Sequence, residues 1–552
     1  MEWLDLASAL RRSGIPALPS GTVSSLRSQN AGEKPAIREM VYAPARQVGF
    51  AFYGMTNPAA AADVCACLEA NNASATFFVT LNELEHNANA IESLLKNGNE
   101  LGICYRASAD YPQTFSAVTN YLSAWNAYAQ WRYGATSSLV FLRLDTPMDE
   151  TLEAIHASGC QVAKPALQPL KKVPPQTTLS QVPAALEAID GPQIARGSFV
   201  FFRMDYFAAD RFAAAGESVI GKVLDWFFRD HIDTLAYRSE KTGLIEDESR
   251  FRVTSLSQAL SAPDSYTLCT EPQTHIRDDK NVLTDLPDDE ARSRFIVQRY
   301  IGSTTVTSAQ QLPGFSSKEI QALDKKGTFT NEAVLFLTFD DWGTEASLNP
   351  LLYVLEKQGI KATFFIRTNH VDSNPNLLRA IAQQGHQIAC HTNEHVALAN
   401  DLNADSTRTS SLTEEQAALL RKDLVESYET LWKYTGDLII DGKPALSKMF
   451  RPPTLAVSKL GLYQVLDVGF DYSVSGDYST GDYEASSYQN MLDRLTRRSV
   501  GGGRYITIHN GSVIVMHMQN SAKYTAQALD EMIPKWRSQG YDFARIDDYL
   551  GV

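Results

Sequence analysis

The chain repeats itself, and that property limits its fold more than any other. Around Phe339 it reads Leu335-Phe-Leu-Thr-Phe-Asp-Asp-Trp-Gly343, then a helical stretch, then Lys361-Ala-Thr-Phe-Phe-Ile366. Around Phe52 it reads Gly49-Phe-Ala-Phe-Tyr-Gly54, a helical stretch, then Ser74-Ala-Thr-Phe-Phe-Val79. Phe339 precedes Ala362 by 23 residues, and Phe52 precedes Ala75 by 23. Ala362 precedes Gly385 by 23, and Ala75 precedes Gly98 by 23. Later, Gly511-Ser-Val-Ile-Val-Met-His-Met518 parallels Gly197-Ser-Phe-Val-Phe-Phe-Arg-Met204. The two halves also close alike, on Phe543–Leu550 and on Phe251–Leu260.

These landmarks divide the chain into an N-terminal extension at 1–45, a domain at 46–260, a connector at 261–332 and a second domain at 333–552. The connector is rich in Asp, Pro, Ser and Thr, with helix expected near Asp289–Gln298. Within each half, strand-length apolar runs alternate with helical patterns. Val334–Phe339 and Ala362–Ile366 read as buried strands, and Leu348–Gln358 and Leu377–Gln384 as helices. That alternation predicts an α/β fold with a mostly parallel sheet or barrel, present twice. Chemistry in such folds sits at the carboxyl ends of strands.

Composition narrows the partners. There are 50 Lys and Arg against 64 Asp and Glu, a net charge of -14, so long-range fields disfavour nucleic acid and anionic membranes. No run approaches the roughly 20 apolar residues that span a bilayer. The start, Met1-Glu2-Trp3-Leu4-Asp5, lacks a basic region followed by an apolar run. No signal peptide is therefore visible, and both a cytoplasmic protein and an exported one with its signal removed fit. Six cysteines in 552 residues imply buried thiols rather than a disulfide framework.

Three features of the second half carry chemical potential. Asp340-Asp341 follows a buried strand; alone, such a pair is usually a turn or helix cap. His391 and His395 are spaced i, i+4, which on a helical turn puts both imidazoles on one face, where they can share a metal; such pairs also occur on ordinary surface turns. His517 ends the apolar run Val513–Met516, where a scaffolding role is the plainer reading. Together, one Asp and two His form an open three-ligand site, the other Asp can serve as base, and a further His as acid.

The second half resembles the polysaccharide deacetylases, the NodB-homology or carbohydrate esterase family 4 enzymes. Thr338-Phe-Asp-Asp341 is similar to their first motif, and His391-Thr-Asn-Glu-His395 to their second. Arg451-Pro-Pro-Thr454 resembles the third, Asp471–Tyr478 the fourth and Ile514-Val-Met-His517 the fifth. The resemblance implies an irregular barrel of about seven strands, (β/α)7 in type. It implies that Asp340 is the general base, and that Asp341, His391 and His395 bind a divalent metal, usually zinc. It further implies that Arg451 holds the base by a bidentate ion pair and that His517 is the general acid with Asp477 as its partner. The Thr454 N–H would stabilise the oxyanion, and Val515 would line the acetyl pocket. Trp342, Pro453 and Tyr478 complete the implied substrate wall. Trp342 stands where many members have Gly-Pro, Thr454 where Tyr or Phe is usual, and Tyr478 where Trp is common. The implied substrate is an acetylated carbohydrate, N-acetyl in the first place. The alternatives are a glycan-binding protein without catalysis, and a related C–N hydrolase acting on a small non-sugar amide.

Carried through the repeat, Asp340 and Asp341 become Tyr53 and Gly54, His391 becomes Cys104, His395 becomes Ser108 and His517 becomes Arg203. No metal site survives that exchange. The first half is expected to be a degenerate copy whose aromatics, Trp125–Tyr133 and Trp226–Phe228, form core rather than a sugar platform.

Overall fold

A computed structural model describes residues 18–187, 193–403, 406–499 and 505–550. The first 17 residues of the expected extension, and with them the N-terminal signal question, lie outside the described residues. The chain divides into two compact units: Met1–Thr234 with Phe251–Tyr266, and Leu235–Arg250 with Thr267–Val552.

In the first unit a parallel sheet runs in the order Ile37–Arg38, Gln161–Ala163, Leu139–Leu142, Glu100–Tyr105, Thr76–Val79, Gln47–Tyr53, Phe199–Arg203. Arg252–Thr254 adds to the start of Gln47–Tyr53. Its core gathers Ala51, Phe78, Phe141 and Phe201 from four strands. Trp125, Tyr128, Phe227 and Phe228 are buried, as expected of core aromatics, whereas Trp131 is exposed. Ile37–Arg38 is an edge strand of this sheet, so the expected extension is partly built into the fold.

In the second unit the order is Tyr478–Ser479, Val513–His517, Val334–Asp341, Thr363–Ile366, Gln387–Cys390, Leu446–Phe450, Tyr472–Val474, Tyr300–Ile301, all parallel. Asp542–Phe543 pairs with the start of Val334–Asp341. Val334–Phe339 is fully buried because helices cover the sheet, which explains its unbroken apolar sequence. The helices Glu345–Lys357 and Pro375–Gln383 fall where the apolar spacing puts them.

Tyr472–Val474 and Tyr478–Ser479 lie near opposite ends of this strand order, yet only Ser475–Asp477 separates them. Four residue steps span at most about 14 Å, roughly three strand spacings, so the sheet must curl until its ends nearly meet. Ser475 N–H donates to Ile301 O (2.8 Å) and Gly476 N–H to Gly302 O (3.1 Å) along the seam.

The boundaries differ from the expected ones. Most of 261–332 is part of the second unit, because Tyr300–Ile301 pairs with Ser473 and Val474. The helix Asp289–Arg299 leads into that strand, capped by Asp288, which accepts from Ala291 N–H (2.8 Å). Leu235–Arg250 also belongs to the second unit: Asn349 Nδ2 donates to Leu235 O (2.7 Å) and Ser249 O (2.9 Å).

Candidate active site

Two parallel neighbours put the first pair of groups side by side. Register aligns Asp340 with His517 at the carboxyl ends of Val334–Asp341 and Val513–His517. Met518 N–H donates to Asp340 O (3.1 Å) just beyond. Gly343 then passes so close that a Cβ there would sit 2.1 Å from Met518 O, so only glycine allows the two strand ends this approach.

Asp340 is buried, and one oxygen accepts from Arg451 Nη1 (2.7 Å). Arg451 is fully buried at the end of Leu446–Phe450. Its Nη1 also donates to Thr338 Oγ1 (2.7 Å), its Nε donates to Val474 O (3.0 Å), and its guanidinium lies 4.0 Å from the centre of the Phe365 ring. The Arg451–Asp340 contact is thus single, not bidentate, because Nε is turned to the neighbouring strand. Burial raises the Asp340 carboxyl above its ordinary value, and the Arg451 charge works against that rise.

Asp341 points elsewhere. Its φ of 76° is left-handed, which ends the strand and separates its side chain from Asp340. Asp341 Oδ1 lies 3.8 Å from His391 Nε2 and 3.5 Å from His395 Nε2. One donor atom from each of Asp341, His391 and His395 falls within 4.8 Å of the others, the one such group among the described residues. The two histidines are not on a helical turn. They occupy the loop after Gln387–Cys390, where Thr392 (φ 66°) and His395 (φ 60°) bend the backbone. His391 Nδ1 is 2.9 Å from Arg451 O; as the donor there, it leaves Nε2 as a lone pair facing Asp341. Burial holds both imidazoles below their ordinary range, and so neutral. A carboxylate and two neutral imidazoles with further positions open suit a divalent ion, so the donor set fits a metal of that class.

The partner of His517 is Asp482, which corrects the expected Asp477. Asp482 Oδ1 lies 2.7 Å from His517 Nδ1, and Oδ2 accepts from His517 N–H (2.9 Å) and Thr525 Oγ1 (2.8 Å). Burial opposes a charge on His517, but this carboxylate prevails and lifts the imidazole to about 9. Asp477 serves the other end of the same strand. It accepts from Ser512 Oγ (2.9 Å) and Val513 N–H and lies 3.2 Å from His509 Nε2. Four residues of strand, about 13 Å, separate that end from His517.

A pocket of about 460 Å³ opens over these groups. Asp340, Asp341, His391, His395, His517, Thr454 and Val515 line it, as expected. Thr454 and Leu455 are both left-handed (φ 59° and 61°), which turns the chain at the pocket wall. Three expected wall residues do not line it. Tyr478 is buried and donates its hydroxyl to Arg494 O (2.6 Å), Pro453 is buried, and Trp342 lies outside the pocket. Tyr483, Arg498, Arg367, Thr305 and Gln311 are there instead. Gly-Asp-Tyr occurs twice, at 476–478 and 481–483, and the second copy supplies both the His517 partner and the aromatic wall. The duplication was the available signal; only the paired strands distinguish the copies.

Residues 328–473 match the family model for polysaccharide deacetylase. Over those residues the chain is similar to that family. The polysaccharide deacetylases are hydrolases of carbon–nitrogen bonds other than peptide bonds, and the match begins just before the Val334–Asp341 strand. Among curated relatives, the peptidoglycan-N-acetylglucosamine deacetylase PgdA of Listeria monocytogenes serotype 1/2a (strain 10403S) is 27% identical over 223 residues, 40% of this chain and 40% of that protein. The chain therefore spans less than half the length of that relative. The peptidoglycan-N-acetylmuramic acid deacetylase PdaA of Bacillus subtilis (strain 168) is 25% identical over 253 residues, 44% of this chain and 83% of that one. The solved structure of Bacillus subtilis PdaA, a family 4 carbohydrate esterase, aligns with a TM-score of 0.33 at 24% identity, covering 44% of this chain and 92% of that one.

In the first unit, Tyr53 aligns with Arg203 across two neighbouring strand ends. Cys104 is buried and its thiol is pushed up, while Ser108 Oγ accepts from Tyr111 N–H (3.1 Å). Arg143 and Arg203 both pair with Asp205, and Arg143 lies over the Tyr53 ring.

Proposed function

We propose that the second unit is a metal-dependent deacetylase that removes acetyl groups, N-acetyl in the first place, from a carbohydrate polymer or oligosaccharide. The observation that carries this reading is the meeting of a ligand trio and two ion pairs at one pocket. Asp341 faces two neutral imidazoles, Asp340 is held by Arg451, and His517 is held by Asp482.

Asp341, His391 and His395 would hold a divalent ion, zinc on the chemistry of the donors, which would supply Lewis acidity toward an acetyl carbonyl and water. Asp340 takes the proton from the attacking water. Its burial raises its basicity, and Arg451 keeps it ionised and oriented. His517 carries a proton at neutral pH and delivers it from Nε2 to the departing sugar nitrogen, while Asp482 fixes Nδ1. The Thr454 N–H at the turned wall serves as oxyanion donor, and Val515 packs on the acetyl methyl. The first unit keeps the same order of strand neighbours around Gln47–Tyr53 but carries Tyr, Gly, Cys and Arg at the equivalent positions. We read it as a copy of the fold without metal or catalysis.

The named relatives act on amino sugars of peptidoglycan, so a substrate panel should begin there. Protein loaded with zinc is mixed with N-acetylglucosamine oligomers, peptidoglycan fragments, acetylated xylan and a cyclic amide, and acetate and product masses are followed. Acetate from the amino-sugar substrates is the expected result. Turnover of the cyclic amide alone would move the assignment to a different amidohydrolase, and glycan binding with no turnover would leave a lectin.

A further inference from the structure

The metal-binding loop is held from behind by a carboxylate that touches neither the metal ligands' side chains nor the pocket. Helix Glu414–Thr435 presents Leu420, Leu424, Tyr428 and Leu431 to the core, and amid these apolar residues stands Asp423, only 8% exposed. A buried carboxylate inside a helix is costly unless its oxygens are satisfied. Here Oδ1 accepts from Asn393 N–H (2.7 Å) and Oδ2 from Glu394 N–H (2.8 Å). Those amides lie between His391 and His395. On either side of them the backbone is left-handed at non-glycine residues, Thr392 and His395, a conformation that must be imposed by its surroundings.

Other contacts reach Thr392, Val396 and the side chains of Asn393 and Glu394 rather than the two amides. Thr368 N–H donates to Thr392 O (3.2 Å), Val396 N–H donates to Thr392 Oγ1 (3.1 Å), and the Thr368 hydroxyl donates to Asn393 Oδ1 (2.9 Å). One turn along the helix from Asp423, Ser427 Oγ lies 3.1 Å from that hydroxyl and 3.3 Å from Cys390 Sγ.

We propose that Asp423 is a positioning residue for the metal centre: by binding two consecutive amides, it sets the strained turn that brings His395 back beside His391 and Asp341. The proposal rests on the reading of Asp341, His391 and His395 as a metal site. The carboxylate preorganises the ligand set in the absence of metal, so its loss should appear in metal affinity before anything else.

The test is Asp423→Asn in the full chain. The amide keeps the size of the carboxylate, but its NH2 faces one of the two backbone N–H groups. Zinc affinity is measured by competition with a chromophoric chelator, and the visible spectrum of the cobalt-loaded protein is recorded. Asp467→Asn is the control: Asp467 is also buried and accepts from two consecutive amides, Leu283 N–H (2.8 Å) and Thr284 N–H (3.2 Å), on the side of helix Lys459–Asp467. The expected result is a zinc affinity about 10- to 100-fold weaker and a changed cobalt spectrum in Asp423→Asn, with both unaltered in Asp467→Asn. Both variants should lose some thermal stability. If Asp423→Asn loses stability but binds zinc as the parent does, or if the control weakens zinc equally, the proposal is overturned. Should Asp423→Asn fail to fold, Asp423→Ser, which retains one acceptor, carries the same comparison. Absence of zinc binding by the parent protein would instead defeat the deacetylase reading itself.

Discussion

Buried Asp482 and half-buried His517 form a pair in which one carboxylate binds the same histidine twice, at the ring Nδ1 (2.7 Å) and at the backbone N–H (2.9 Å). The double contact fixes both the position of the residue and the direction of its free Nε2. It also sets the charge, lifting the imidazole to about 9 against the effect of burial.

The first prediction concerns pH. Because the His517 pKa is raised, its proton stays on through neutrality and leaves only as pH climbs through the raised value. Asp482→Asn should return that value toward the ordinary 6.5 or lower, since burial then acts unopposed. The alkaline limb of kcat/KM should move to lower pH, with kcat at pH 8 falling at least about tenfold. A pH profile of acetate release checks this, and an unmoved limb would exclude His517 as the acid.

Metal content gives a second prediction. The described residues hold one three-ligand group, in the second unit. The intact protein should bind one zinc per chain, and His391→Ala or Asp341→Ala should abolish both that zinc and acetate release. Atomic emission on the purified protein measures the ratio. A ratio near two would overturn the reading of the first unit as metal-free.

Arg451→Met should damage both stability and base chemistry. It leaves Asp340 buried without its cation, and breaking such a pair costs about 3–5 kcal/mol. The Asp340 carboxyl, already raised, rises further, so the acid limb of the activity profile should shift to higher pH. Denaturant unfolding and the same pH series test the two halves of this expectation.

The duplicated Gly-Asp-Tyr offers a contrast between two tyrosines. Tyr478→Phe removes a buried hydroxyl that donates to Arg494 O and should cost about 1 kcal/mol of stability with turnover unchanged. Tyr483→Ala should raise KM severalfold with little loss of stability, because Tyr483 lines the pocket and sets its ring edge against His517. Equal KM effects from both would mean that the pocket extends beyond its described lining.

Much of this arrangement was legible in the chain. The run before Asp340 is unbroken because both faces of its strand are covered, and apolar runs alternating with helical patterns mark the α/β order of the second unit. What escaped was decided by tertiary contact. The turn at Thr392 and His395 is left-handed without glycine, so the local sequence carries no mark of it. Asp477 and Asp482 have identical neighbours on both sides, and only the strand beside them sends one to each end of Val513–His517. Tyr300–Ile301 has two residues, too few for any periodicity, so a segment of the sheet passed for a connector.

Leu235–Arg250 belongs to the second unit, although Phe251–Tyr266 returns to the first. Neither unit is a contiguous stretch, and no single cut of the polypeptide would free one from the other intact. During synthesis, Leu235 leaves the ribosome 114 residues ahead of Asn349, the side chain that holds it. The ribosome thus releases a strip of one body before the other has closed, and the two halves of the gene are tied to a shared fate in folding, in truncation and in recombination.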